Sequence, residues 1–357
     1  MAAAHNAAVA ALAGGDPGGA LLALDEADAA LGVIGDPDPV DVLNVALARV
    51  RALRRAGRFT DAVAVADATP ADVMGDSADG QRLRVHLALE RADTLRCLGR
   101  YDEAGPLLTD ALAWAQQDLG PEDDDTAAVW NSLGVWHRYR GEREAGFTAY
   151  DRALTITAVT CGVDTPDYAS VLHNIASLHQ STGNPADGEE PARRAVAIRE
   201  AALGPDHPDV ATDVGVLGVV LADLGRFDEA AACYARTRAI LTTRFGPVSP
   251  DLAYLACNEA ALQHLRGALD AADAAYLVAE RACRAALGDD HPQVAAVLLN
   301  RATLAVHCGD PDAARSLAGT VQLMLRDVVP VDHPHRRAAA ELLASIPITG
   351  GGSTGEA

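Results

Sequence analysis

Asparagine recurs in this chain on one interval: Asn6, Asn174, Asn258 and Asn300 are separated by 168, 84 and 42 residues, all multiples of 42. An amide side chain carries a donor and an acceptor in one group, which is what a peptide backbone asks of a ligand site. Asparagine is also a poor helix former, so its return at one helical place points to a contact rather than to helix propensity. Asn131 stands one place before the equivalent position, which Ser132 fills. Arginine keeps the same interval at Arg54, Arg96 and Arg138, with Arg51 a turn earlier and Arg55 alongside. Converging guanidinium groups can make paired hydrogen bonds to a carboxylate; the competing reading pairs them internally with Glu90 and Asp93. His86, His173 and His264 join the same helical stripe, whereas His137 and His179 lie two residues further along and are expected to face the next repeat. There is no HxxxH or HExxH spacing, so neither a metal site nor any other cofactor is expected.

The elements that place these residues follow from glycine. Gly15, Gly57, Gly99, Gly141, Gly183, Gly225, Gly267 and Gly309 are spaced by 42 without interruption, and Gly120, Gly162, Gly204, Gly246 and Gly288 form a second such series, continued by Pro330. Five residues after each turn glycine, and seven before it, fifteen of sixteen positions are Ala or Gly, the exception being Val50. Two small positions flanking a turn describe an antiparallel helix pair, A and B, whose backbones approach closely. Residues 3, 6, 9, 10 and 13 places before the glycine then share one stripe of helix A. The asparagines, arginines and three histidines fall on it.

The stretch LGPDHPDVATDVGVLGVVLADLGRFDEA, Leu203 to Ala230, resembles a tetratricopeptide repeat, and the 42-residue unit with its LGPDHPDVA opening resembles the longer kinesin-light-chain-type variant. The resemblance covers essentially the whole chain. It implies an all-α fold: a right-handed α-solenoid of eight helix pairs (1–42, 43–84, 85–126, 127–168, 169–210, 211–252, 253–294 and 295–336), a C-terminal capping helix over 337–346 and a disordered tail over 347–357. It further implies that the A helices line a concave groove whose asparagines, here Asn174, Asn258 and Asn300, hold an extended peptide; Val216 interrupts that ladder. The arginines resemble in principle the carboxylate clamp of other tetratricopeptide domains, whose lysines are missing here. The expected peptide-binding residues are therefore Asn131, His173, Asn174, Asn258, His264, Asn300, Arg51, Arg54, Arg96 and Arg138. Trp130 matches the bulky core position of the family. Helix A of repeat six is expected over about 208–224 and helix B over about 227–244. The exit of repeat two, Thr69 to Asp76, reads as irregular.

Composition narrows the function. Aromatics make up 4% of a chain that is 49% apolar, so the core must be built from Ala, Leu and Val. A net charge of −21 repels phosphate backbones and anionic lipid, which argues against nucleic-acid and membrane partners. All 29 basic residues are arginine, which removes P-loop, Schiff-base and pyridoxal-phosphate lysines. The Ala, Arg and Asp bias suggests a GC-rich bacterial genome. Six cysteines without a CxxC pair read as reduced thiols of a cytoplasmic protein. The tail motif around Ser353 formally matches GxSxG but lacks the strand and helix of a nucleophile elbow. His207, His291 and His333 sit in a repeated Asp-His-Pro loop and read as structural. The chain is thus expected to be a non-catalytic scaffold or adaptor for a protein or peptide partner, with an acidic side chain or C-terminal carboxylate at the arginine end. The alternative is an enzyme or small-molecule sensor using groove His, Arg and Asp residues. Oligomeric state stays open.

Overall fold

The structure, a computed structural model, describes residues 1–69, 77–326, 329, 331 and 333–346. Pro70 to Asp76, Pro330, the tail over 347–357 and Ser353 lie outside these residues. Among the described residues there are seventeen α-helices and no strand. They pair as α1 (Ala2–Ala13) with α2 (Pro17–Val33), α3 (Pro39–Arg55) with α4 (Phe59–Ala68), α5 (Ala78–Cys97) with α6 (Tyr101–Trp114), and α7 (Asp124–Arg140) with α8 (Arg143–Thr160). They continue as α9 (Pro166–Ser181) with α10 (Pro185–Leu203), α11 (Pro208–Asp223) with α12 (Phe227–Phe245), α13 (Pro250–Leu265) with α14 (Leu269–Leu287), and α15 (Pro292–His307) with α16 (Pro311–Met324). The single helix α17 (Pro334–Ser345) follows. The chain divides into two compact units, Met1–Leu255 and Ala256–Ala357.

Both glycine series have a common physical cause. All eight turn glycines sit at φ between 71° and 76°, and the five loop glycines between 76° and 114°, a region that L side chains rarely enter. At Gly225 the helix closes with Gly225 N–H to Ala222 O (2.9 Å) and Arg226 N–H to Leu221 O (2.9 Å), a Schellman-type end. Nine helices begin on proline, where the missing N–H has no helical partner to lose. The Asp-His-Pro histidines are N-caps: the Nδ1 atoms of His207, His291 and His333 accept from the N–H groups of Asp209, Gln293 and His335 at 3.2, 3.0 and 3.2 Å.

The small positions lie where the helices cross. Ala8, Ala20, Ala62, Ala104, Ala176 and Ala230 are fully buried. Where glycine replaces alanine before the turn, a tyrosine fills the room. A Cβ on Gly134 would lie 2.3 Å from the Tyr150 ring, and one on Gly218 would lie 2.5 Å from the Tyr234 ring. Val50, the oversized exception, has small Ala66 in its core cluster. In the first unit each A helix packs on the next, from α1 through α11, while no B helix meets the following B helix to a similar extent. That asymmetry puts the A helices on the inside of the curve. The unit also closes on itself: Arg244 donates to Ala13 O at 2.8 Å, and the Phe245 ring lies against the Gly15 turn.

Candidate functional site

The arginine end is built on α3, α5 and α7. Arg51 Nε donates to Glu90 Oε1 at 2.7 Å and Arg54 Nε to Glu90 Oε2 at 3.1 Å. Arg54 Nη1 also reaches Asp93 Oδ2 at 2.8 Å, and Arg96 binds the other Asp93 oxygen at 2.6 Å. Burial alone would raise the Asp93 carboxyl, but Arg96 and Arg54 outweigh it and hold the group below the ordinary carboxylate range. Three of the four expected arginines are therefore already paired with Glu90 or Asp93. Arg55 leaves the cluster altogether and donates to Leu12 O at 2.9 Å.

Arg138 is different. It has no carboxylate partner among the described residues, and its guanidinium lies 4.7 Å from the centre of the Tyr139 ring, which Arg96 also faces at 4.7 Å. Arg138 Nε is buried with no hydrogen-bond partner. Beside it lies the hydroxyl of Tyr150, a residue with 0% exposure, likewise without a well-formed hydrogen bond. Burial pushes the Tyr150 phenol well above its ordinary value, so it remains a donor.

Seven residues before Arg138, two helical turns away on the same face of α7, stands Asn131. It accepts from Asn174 Nδ2 at 2.9 Å across to α9. The bond leaves Asn174 with an acceptor and Asn131 with a donor to offer. Next to Asn174, His173 Nδ1 meets Asp213 Oδ1 of α11 at 2.9 Å. Asp213 is 2% exposed and accepts from Arg199 Nε of α10 at 2.7 Å; Arg199 Nη2 donates in turn to Ser170 Oγ at 3.0 Å. Arg199 and Asp213 do not lie on the groove stripe, so the stripe could not reveal them. Comparison down the 42-residue register could have.

The remaining expected site residues, Asn258, His264 and Asn300, belong to the second unit. Asn258 is half-buried on α13. His264 Nε2 lies 2.8 Å from His307 Nδ1, and burial together with His307 holds its imidazole below the ordinary value. Asn300 is exposed on α15 and lines an open cavity of about 530 Å³ against α17, with His335 and Glu341. His86 pairs with Asp125 at 2.6 Å. His137 and His179 do not face the next repeat as expected. His137 turns to Glu142 of its own turn at 2.7 Å, and the His179 ring lies 4.6 Å from Phe147 of the preceding repeat, because that flank of each A helix packs on the previous B helix. Trp130 is a core residue, packed with Val129, Leu133 and Tyr150.

Among the described residues no group of three or more His, Cys, Asp or Glu side chains could hold a metal ion, and no helix is long and apolar enough to cross a membrane. Comparison with known proteins bears on the fold. No curated protein matches the chain. BtubC from P. vanneervenii shares 22% identity over 62% of this chain and 87% of its own, with a TM-score of 0.48. A kinesin light chain from Podosopora anserina with nearly identical tetratricopeptide-like repeats shares 20% over 57% of this chain and 97% of its own, with a TM-score of 0.42. A Rap protein, solved in complex with competence and sporulation factor, covers 97% of this chain and 96% of its own at 14% identity, with a TM-score of 0.60. The tetratricopeptide repeat family itself matches residues 84–158, 127–201 and 167–243. Residues 84–243 are thus tetratricopeptide repeats, and the solved neighbours of the chain include kinesin-light-chain-like proteins.

Proposed function

We propose that the A-helix face of the first unit holds an extended segment of a protein partner, and that the chain acts in the cytoplasm as a non-catalytic adaptor. The tetratricopeptide fold is a protein-interaction scaffold, and the observation that carries the finer reading is Arg138. In a chain of net charge −21 it is a cation without a carboxylate partner among the described residues, next to a buried hydroxyl without a well-formed bond. Arg51, Arg54 and Arg96 are already paired, so an acidic side chain or C-terminal carboxylate of the partner goes to Arg138. Two turns along, Asn131 and Asn174 offer the donor and acceptor that an extended backbone needs. Asn258, His264 and Asn300 give the second unit a polar face of its own. Ser170 and His173 do not form a nucleophile–base pair on this face: His173 is turned to Asp213, and Ser170 is engaged by Arg199 and donates to Pro166 O.

Random peptides displayed on phage, selected on the intact protein and then titrated as synthetic peptides, test this reading. Arg138→Ala is expected to weaken binding by about 1.5–3 kcal/mol and Asn174→Ala by about 0.5–1.5 kcal/mol. Arg152→Ala, whose side chain pairs with Glu122 on the B-helix side, leaves affinity unchanged. Equal affinities across all three variants would remove this face from the account.

A further inference from the structure

The buried pair Arg199–Asp213 breaks the pattern of its own chain. Asp213 lies twelve residues before its turn glycine, Gly225; the other repeats place Ala3, Val45, Leu87, Val129, Val171, Leu255 and Val297 there, all but Ala3 buried. Arg199 lies sixteen residues after Gly183, where the other described repeats have Leu31, Ala115, Thr157, Leu241, Cys283 and Leu325, all buried. One repeat interface has thus exchanged a small or apolar pair for two charges. Burying charges is costly even when they are paired, and a well-packed apolar pair of similar volume is often as stable or more so. Packing therefore gives no reason for the exchange.

The geometry gives one. An ionised carboxylate only accepts hydrogen bonds, so with Oδ2 taken by Arg199 Nε, Asp213 Oδ1 requires a proton on His173 Nδ1. Ser170, one turn before His173 on α9, receives the other end of Arg199 and fixes the guanidinium in place. His173 Nε2 has no hydrogen bond within the described residues and is not sealed from solvent, and the next residue in the chain, Asn174, is the one bonded to Asn131. We infer that Asp213 and Arg199 are positioning residues, which fix the His173 tautomer so that Nε2 accepts an N–H from a bound peptide beside Asn174 and Asn131. The inference rests on the peptide-binding reading of the A-helix face. Its ligand chemistry is narrower, because an acceptor at this point selects a backbone amide or side-chain N–H and rejects a carbonyl.

The test uses the full chain and a peptide selected on the wild type as above. Asp213→Asn keeps the shape, but its amide can donate to Nδ1, which moves the proton to Nε2 and turns that atom from acceptor to donor. The double variant Asp213→Val with Arg199→Leu restores the residues that neighbouring repeats use. Nitrogen NMR of His173 is expected to show the Nδ1–H tautomer in the wild type and its loss in both variants. The double variant melts no lower than the wild type, yet both variants bind the peptide about 2- to 10-fold more weakly, the loss of one hydrogen bond. His173→Phe loses as much, and adding Asp213→Asn to it costs nothing more. A double variant that melts lower and binds as tightly would make the pair a structural device and overturn the inference, as would a doubly protonated His173 at neutral pH. If no peptide is selected, the peptide-binding reading falls and the acceptor role with it; peptides that bind all variants alike overturn the acceptor role alone.

Discussion

Repeats two and three and repeats five and six all carry charge pairs, but in different places. Arg54, Asp93 and Arg96 lie along the A-helix face, with side chains 20–33% exposed, whereas Arg199 and Asp213 are sealed in an interface that other repeats fill with apolar side chains. One helical frame thus supports two electrostatic regimes. Where water reaches a pair, either partner can be lost and the other rehydrates; where it does not, each charge depends on the other. The largest expected effect follows. Asp213→Ala leaves Arg199 buried without its counter-charge, Asp209 being 3.8 Å away and half exposed, and is expected to cost about 3–5 kcal/mol. Thermal and urea unfolding measure it, and a cost under about 1 kcal/mol would erase the distinction between the two regions.

The N-cap histidines of the second unit sharpen it from the other side, being buried titratable groups kept neutral. Burial, with the nearby His335 as the lesser cause, pushes His291 and His333 down to about 4, from an ordinary value near 6.5. Their Nδ1 atoms must stay unprotonated to accept from Gln293 and His335. The folded pKa is depressed, so below about 6.5 the unfolded chain binds protons that the folded chain refuses. The stabilisation is complete above pH 6.5 and is lost as pH falls toward 4, by at most about 3 kcal/mol per histidine. Hydrogen exchange at pH 5 against pH 7 should show α15 and α17 losing protection; His291→Asn, which keeps an N-cap acceptor without the titration, should flatten the pH dependence. A profile that stays steep in that variant would place the acid sensitivity elsewhere.

The face pair is expected to answer more mildly. Asp93→Asn leaves Arg54 on Glu90 and gives Arg96 a neutral acceptor, at about 1.5 kcal/mol, the low end for hydrogen bonds to charged groups. A loss as large as that of Asp213→Ala would show that the face is as dry as the core.

What could be read from the sequence follows the same line between backbone and side chain. Every glycine of the two 42-residue series has a positive φ, and helix A of repeat six runs over Pro208–Asp223 against an expected end near 224, because these are demands of backbone geometry that a single residue type satisfies. The Asp-His-Pro loops were legible as structural for a related reason, since a cap is a local device. The state of the arginines was not. Whether Arg54 faces a ligand or Asp93 depends on side-chain torsions across two helices, which spacing does not encode. Asp213 escaped because a stripe that selects solvent-facing places skips the core position twelve residues before the glycine; only its mismatch with Val45, Leu87 and Val129 marks it. His137 and His179 were misplaced because both flanks of an A helix bear on a neighbour, and spacing does not say which.

The smallest expected effect tests the exposed limit of the comparison. Arg100 and Arg226 occupy the same place after the turn glycines of repeats three and six, and each makes a two-pronged contact with the glutamate three residues on, Glu103 or Glu229, at 2.6 Å. Only Arg226 also reaches back to the preceding repeat, through Glu189 at 2.6 Å. Exposed pairs contribute at most about 1 kcal/mol, and less in salt. Arg100→Ala is therefore expected to lower the melting temperature only slightly and Arg226→Ala a little more, because it removes a tie between repeats as well as a tie within one. Raising salt should close the gap between them, since both contacts lie in water, while the cost of Asp213→Ala stays nearly constant. If salt instead reduced the Asp213→Ala cost in proportion, the Arg199–Asp213 pair would be reached by solvent, and the two regions would differ in degree only.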